Sequence, residues 1–464
     1  MKRLQKISAI IMTAIICFSS IGCGAGEDTS KSDINTKDDA AVQENAAASN
    51  SGQENSNKEV SGSGEKVTIH YATYEVGTHL GVQTTTELLQ RFRDKNSDTI
   101  ELVVEELPTD TTYTEKMKTL VATNDLPDVV DGKNGLRDLA LQNGQVVYLN
   151  DYLDSDPEFR DKVIGPDAIA ANTDEDGNVL SIVCGAQAVG YFYNKDMFAD
   201  AGIKPAETWE EFNENCEKLL SAGYTPLGLM TGENSWTTNL LLAAMVGGKG
   251  EAGVELMNTK YPDTYQTPEM ISALEDMQIY LQKYTTPDAL GAGYANVANN
   301  FLTEQVAMVF NGSWMIASFS EEDKANPGLA DRIGFALYPG NGLIQTYAEG
   351  YVMCASTKET QDAAWELIKE LTGTETQMGR MTREGGIPVS SYIEITDEYR
   401  QENPLFAENV DAVQKAEYSV ATFDVMAYAN VVDAFGIYYP ELVNGTLDAA
   451  GMAARLDEAA AAAQ

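Results

Sequence analysis

The turn Asn311-Gly312-Ser313-Trp314 has the residue types to hold something flat. It follows the apolar run Val306 to Phe310, which reads as a buried strand, and Trp314 stands where a helix begins. Such turns lie at the end of a sheet, where α/β folds open their crevices. An indole placed there either stacks on a flat, weakly apolar face such as a sugar ring or fills core. Other strand ends carry compatible groups. Tyr74 and Glu75 follow the strand pattern Val67 to Thr73, and Asp131, Lys133 and Asn134 follow Leu126 to Val130. Gly232-Glu233-Asn234-Ser235-Trp236 precedes an apolar helix, Glu349 closes a strand region before Gly350, and Asp424 precedes a helix over 425–435. Aromatic faces combined with carboxylate and amide oxygens suit a neutral, hydroxyl-rich ligand, which offers a CH face to stack on and O–H groups to accept from. Plainer roles compete at each position: Glu75 as a solvated loop acid, Asp131 and Asn134 as turn formers, Trp236 as core.

Reactive chemistry is harder to build. The chain has 2 His, His70 and His79, without metal-ligand spacing. Beyond Cys17 and Cys23, the cysteines Cys184, Cys216 and Cys354 are too widely separated for a disulfide framework or a metal motif. No Gly-rich anion loop stands out, and no motif singles out the two carboxylates that glycoside hydrolysis needs. Neither a cofactor nor a metal is expected. With 31 Lys and Arg against 71 Asp and Glu, the net charge is −40, which excludes nucleic-acid binding through phosphate neutralisation.

The elements that must position these residues begin well into the chain. Lys2, Arg3 and Lys6 precede the short apolar run Ile7 to Phe18, too short for a comfortable membrane span. Residues 24–64 are Ser, Asn, Ala, Gly, Asp and Glu with almost no large apolar side chain, a composition that cannot offset its own ordering entropy. The folded part therefore starts near Lys66, and its length suits two lobes better than one core. From there strand, helix and strand alternate: Val67 to Thr73, Thr84 to Asn96, Ile100 to Glu105, Tyr113 to Ala122, Leu126 to Val130. That alternation is the pattern of a parallel, layered α/β sheet. Trp209 and Trp365 fall at core spacing on amphipathic helices and read as packing.

Five segments, in order, resemble the sugar- and oligosaccharide-binding solute receptors of bacterial ABC importers, the maltose-binding-protein-like group. They are the opening strand with Tyr74-Glu75, then Met117 to Val130 with its Leu-Pro-Asp-Val-Val ending, then Val179 to Phe198 with Tyr193-Asn194-Lys195 followed by Ala201-Gly202-Ile203 and Thr208-Trp209-Glu210-Glu211-Phe212. Ala307-Met308 with Gly312-Ser313-Trp314, and Gly385-Gly386-Ile387-Pro388-Val389, complete the set. One departure is local: the family commonly has Pro where this chain has Val183 or Cys184. Ser19 to Gly24 likewise resembles a lipoprotein signal with Cys23 as the lipidated residue, although Ser20 stands where Leu is usual.

The resemblance implies an α/β, two-lobe periplasmic-binding-protein-like fold of type II. Each lobe would be a mainly parallel sheet flanked by helices, with a ligand cleft between them. Residues 1–22 would be signal peptide and 23–65 a lipidated cysteine with its tether. The N-terminal lobe would take 66–180 plus 332–375, and the C-terminal lobe 181–331 plus 376–464. Tyr74, Glu75, Asp131, Asn134, Gln187, Trp236, Trp314, Glu349 and Asp424 are the expected ligand-binding set, with Gln187 and both tryptophans placed by the resemblance. It also implies a monomeric, membrane-anchored receptor facing the outside, partnered by an oligosaccharide and by permease subunits, with no chemistry done on the ligand. A secreted glycosidase, or the same fold binding a peptide or another solute, are the alternatives.

Overall fold

A computed structural model describes residues 66–463; Cys23 and the segments read as signal and tether lie outside the described residues. Along the described chain run β1 (Val67–Thr73), β2 (Ile100–Glu106), β3 (Val129–Asp131), β4 (Ala186–Asn194), β5 (Thr225–Gly228), β6 (Val306–Gly312), β7 (Ile333–Ala336), β8 (Gly342–Tyr347), β9 (Tyr351–Met353) and β10 (Tyr418–Val420). They form two sheets. One has the order β2-β1-β3-β9; the other has the order β10-β8-β4-β6-β5, with β7 also on β4.

In each sheet a single strand runs against the rest. β9 is antiparallel to β3, and β4 is antiparallel to β6, β7 and β8. These are the strands through which the chain enters each lobe from the other, so the mainly parallel expectation holds for strand direction but not for the pairs around β4. The entry segments pair with each other: the Ile182 N–H donates to the Tyr351 carbonyl at 3.1 Å, and the Tyr351 N–H donates back at 2.8 Å. A third crossing pairs Ala186 with Ile387. Gly350 has φ +70° there, and an added Cβ would lie 2.6 Å from the Ile182 carbonyl oxygen, so both conformation and space require glycine.

Local sequence explains the main helices. α1 (Val82–Lys95) buries Leu88, Leu89 and Phe92 on one face and carries Arg93 and Lys95 in its last turn, where the dipole favours cations. α2 (Asp110–Thr123) is capped by the Thr109 side chain, which accepts from the Thr112 N–H, and ends at Asn124 in the left-handed region. α3 (Leu136–Gln142) follows the turn after β3. β6 is buried at all seven positions, which accounts for its unbroken apolar run. Trp365 packs in the first-lobe core and Trp209 against the second-lobe core, as their helical spacing requires.

The lobe boundary moves. Residues 332–347 were expected in the N-terminal lobe, yet β7 and β8 pair with β4 in the second sheet. Short apolar strands carry no mark of which sheet they join; register with β4 decides it. The helix Thr374–Glu384, expected in the second lobe from residue 376 onward, leans on the first through Arg380 and Glu75.

Candidate functional site

The gap between the lobes gathers most of the expected residues. On the first-lobe side β1 ends in Thr73, and Tyr74 follows half-buried, its hydroxyl donating to Asp131 Oδ2 at 3.1 Å. Asp131 ends β3 and accepts from the Lys133 N–H at 3.1 Å. Lys133 Nζ then sits 4.0 Å from the centre of the Tyr74 ring while donating to Asp110 at 2.5 Å. Burial holds the Asp131 carboxyl above the usual carboxylate range, against the opposing pull of Lys133. Asn134 turns the chain with φ 56° and donates to the Thr114 hydroxyl at 3.1 Å.

Glu75 behaves differently. Its side chain is 8% exposed and is held by Arg380, itself 12% exposed, through two guanidinium contacts of 2.8 and 2.9 Å. The Thr85 hydroxyl donates to it as well. Burial pushes this carboxyl up, but the Arg380 charge and its hydrogen bonds outweigh that and leave it below the usual range. Glu75 thus ties the β1 loop to the helix Thr374–Glu384 that leads into the third crossing, and its carboxylate already has its partners within the protein.

On the second-lobe side Glu233, Asn234 and Ser235 all have positive φ, at 48°, 61° and 58°. This strained bend turns the chain from β5 into the helix Trp236–Gly247 and presents Trp236 at its first turn. The Glu233 carboxylate accepts from the Tyr294 N–H at 2.7 Å, which brings Tyr294 to the same place. Trp236 and Trp314 lie with centroids 5.9 Å apart and planes tilted by 37°, and Tyr294 meets Trp236 edge-on at 5.9 Å. Gly312 is the seat for Trp314: an added Cβ would lie 2.3 Å from the indole. Trp314 therefore begins a 3-10 turn, Ser313–Ser320, and both tryptophans are half-buried.

A narrow cleft, with about 10 Å³ of space open to water, brings Asn134 from one lobe together with Asn234, Trp236, Asn239, Thr422 and Asp424 from the other. Burial raises the Asp424 carboxyl, opposed by the Thr422 hydroxyl and the Lys133 charge. Glu349 is 3% exposed and accepts from the Gly135 N–H at 2.9 Å; burial holds it well above the usual range against Arg137. It buttresses the turn that carries Asn134. Gln187 lies half-buried on β4 opposite Thr346, outside the lining of that cleft. Among the described residues no cluster of His, Cys, Asp and Glu has metal-holding geometry.

Sequence reasoning passed over Asn234, Asn239, Tyr294 and Thr422 as site residues, and weighed Lys133 as turn former and ligand contact alike without placing it in the ligand-binding set. Asn234 lay inside a segment already chosen for Trp236, so its position was legible. Tyr294 reaches Trp236 across nearly sixty residues of chain, with no local signal.

A model of the bacterial extracellular solute-binding protein family matches residues 87–426. This chain belongs to that family. Among the family's relatives, the multiple sugar-binding protein of Streptococcus mutans is 26% identical over 223 residues, 46% of this chain and 51% of its own length. A group of putative binding proteins from Brucella, including one from Brucella abortus, is 26% identical over 225 residues, 46% of this chain and 52% of theirs. The chain spans about half the length of the curated relatives it matches. Solved structures share the fold more fully. A chitin oligosaccharide binding protein superposes with TM-score 0.73 at 22% identity, covering 86% of this chain and 99% of that one. A Streptococcus pneumoniae solute-binding protein in complex with the blood group A-trisaccharide gives 0.71 at 21% identity, covering 85% and 99%. The two-lobe solute-binding fold is thereby established. No helix among the described residues is long and apolar enough to cross a membrane.

Proposed function

We propose that this solute-binding protein captures an extracellular oligosaccharide between its lobes and delivers it to the membrane subunits of an ABC importer. The observation that carries the reading is the joined aromatic surface of Trp236, Trp314 and Tyr294, set beside Asn134, Asn234, Asn239 and Asp424. Indole faces stack on the CH face of a pyranose, and the amide and carboxyl oxygens accept from its hydroxyls. Tyr74 and Asp131 extend the polar wall on the first lobe, with Gln187 at the crossover. Glu75 and Glu349 serve as supports behind it. The sugar-binding relatives and neighbours support the ligand class.

The ligand leaves unchanged. Lobe closure requires only that the closed form bind it more tightly than the open one. Cys23, once lipidated, would tether the receptor to the outer face of the membrane through residues 24–65, with the receptor acting as a single chain. Mass spectrometry of the membrane fraction is expected to find a diacylglyceryl group on Cys23, and a freely secreted, unmodified product would remove the anchor.

A thermal-shift panel of oligosaccharides tests the function, because a ligand that binds only the folded state raises its apparent stability. At least one sugar is expected to raise the melting temperature. A panel that leaves it unmoved at millimolar concentrations overturns the reading. Labelled oligosaccharides are expected back intact, and any cleaved product would favour a glycosidase.

A further inference from the structure

Beside the cleft, behind Asn134 and Asp424, one turn of the second lobe reaches across to the first. Lys260 and Tyr261 lie between the helices Glu251–Asn258 and Pro268–Ile279. Tyr261 has φ 53°, a left-handed backbone that bulky aromatic residues rarely adopt. Two contacts within the second lobe impose it. The Tyr261 N–H donates to the Met426 carbonyl at 2.8 Å, and the ring stacks on Tyr428 with centroids 4.0 Å apart and planes 6° apart. Strain of this kind persists only where the surroundings over-determine it, and it collects at sites with work to do.

Across the gap stands Asp138 on α3, with a side chain 9% exposed. Lys260 Nζ lies 3.0 Å from its Oδ2, and the Tyr261 phenol faces the same carboxylate. Arg137, from Asp138's own lobe, holds Oδ1 at 2.9 Å and is itself fixed by Asn172 Oδ1 at 2.6 Å. One buried carboxylate therefore receives a cation from each lobe. Arg137 alone already satisfies Asp138 as an ion pair, so Lys260 adds a bond that exists only while the lobes meet. The approach is close: a Cβ added to Gly135 at the start of α3 would lie 3.0 Å from the Ala429 Cβ of the second lobe.

We propose that the Lys260–Tyr261 turn is a latch, preformed in the second lobe, that clasps Asp138 and holds the lobes together. It sets ligand affinity without touching the ligand, so its residues are positioning residues. The latch rests on the reading of the chain as a receptor whose lobes close. Lys118 and Asp433 also join the lobes at 2.9 Å; the two lysines are comparably placed, at 26% exposed for Lys118 and 37% for Lys260, but Asp433 is 45% exposed where Asp138 is 9%, so water screens the outer pair more. They contribute less.

Small-angle scattering of the ligand-free chain tests the latch, with circular dichroism as the check on folding. Lys260→Met is expected to shift the radius of gyration upward at unchanged helix content, more than Lys118→Met does, and Lys260→Arg is expected to restore the wild-type value. Tyr261→Phe keeps the stack on Tyr428 and should give a smaller shift in the same direction. A Lys260→Met chain with the wild-type radius of gyration overturns the proposal, as does an equal opening in Lys118→Met. No sugar enters the measurement, so the latch and the oligosaccharide reading can fail separately.

Discussion

The second-lobe wall of the cleft is aromatic, with Trp236 touching both Trp314 and Tyr294, whereas the first-lobe wall sets Tyr74, itself packed on Tyr113 and His79, among charges. There Lys133 covers Tyr74 and is bound to Asp110, and Arg380 is bound to Glu75. The difference separates two jobs. The aromatic wall offers dispersion and apolar area, which depend little on salt or pH. The charged wall spends its cations internally, so it offers a ligand fixed acceptors and a rigid frame.

The largest expected effect lies in that frame. Arg380→Met strands Glu75 as a buried, unpaired carboxylate and should cost about 3–5 kcal/mol of unfolding free energy in a denaturant titration. Replacing both partners with leucine should recover much of the loss; a single variant as stable as wild type would show the pair to be dispensable. Next in size, Trp314→Ala and Trp236→Ala should each weaken oligosaccharide binding by about 2 kcal/mol, read by calorimetry, with the fold retained. Unchanged affinity would remove the platform role, and general unfolding would return the indoles to the core.

The buried carboxyls of both lobes also predict a pH profile of stability. Asp131, Glu349 and Asp424 hold protons more tightly folded than unfolded. Stability from them therefore grows as pH falls from neutral through their raised values toward ordinary carboxylate values near ~4. Glu75 and Asp138 hold protons less tightly when folded, so their contribution is intact above that range and is lost as pH falls through their depressed values. Melting temperature should pass through a maximum in mild acid, higher than at neutral pH by on the order of 1–2 °C; a steady decline from pH 7 downward would contradict it. The smallest effect belongs to Lys133→Met, which removes a cation–π contact of about 0.5–1 kcal/mol and uncovers Tyr74. A double-mutant cycle with Tyr74→Leu measures it, and zero coupling would mean the contact carries no energy.

Much of the frame was legible in the order of residues. β1 occupies Val67–Thr73 as its alternation required, and the helix Lys358–Thr372 buries Trp365 in the first-lobe core as its amphipathic spacing implied. Glu75 and Asn234 were harder for a common reason: what they do depends on partners distant in the chain or on backbone strain. Glu75 meets Arg380 some three hundred residues later, and composition alone made it a loop acid. Asn234 holds a positive φ that only the packing of Glu233 against Tyr294 and of Asn239 against its carbonyl makes tolerable.

The sequence by itself determined the elements, the absence of a metal or histidine-based motif, the acidic character and the turn that bears Trp314, because hydrophobic period, turn chemistry and composition are local properties. Tertiary structure alone decided that 332–347 joins the second sheet, that Glu75 is a tie, and that Lys260 faces Asp138. Those outcomes depend on strand register and on charge pairs between segments far apart in the chain, and neither leaves a periodic trace in the residues that make them.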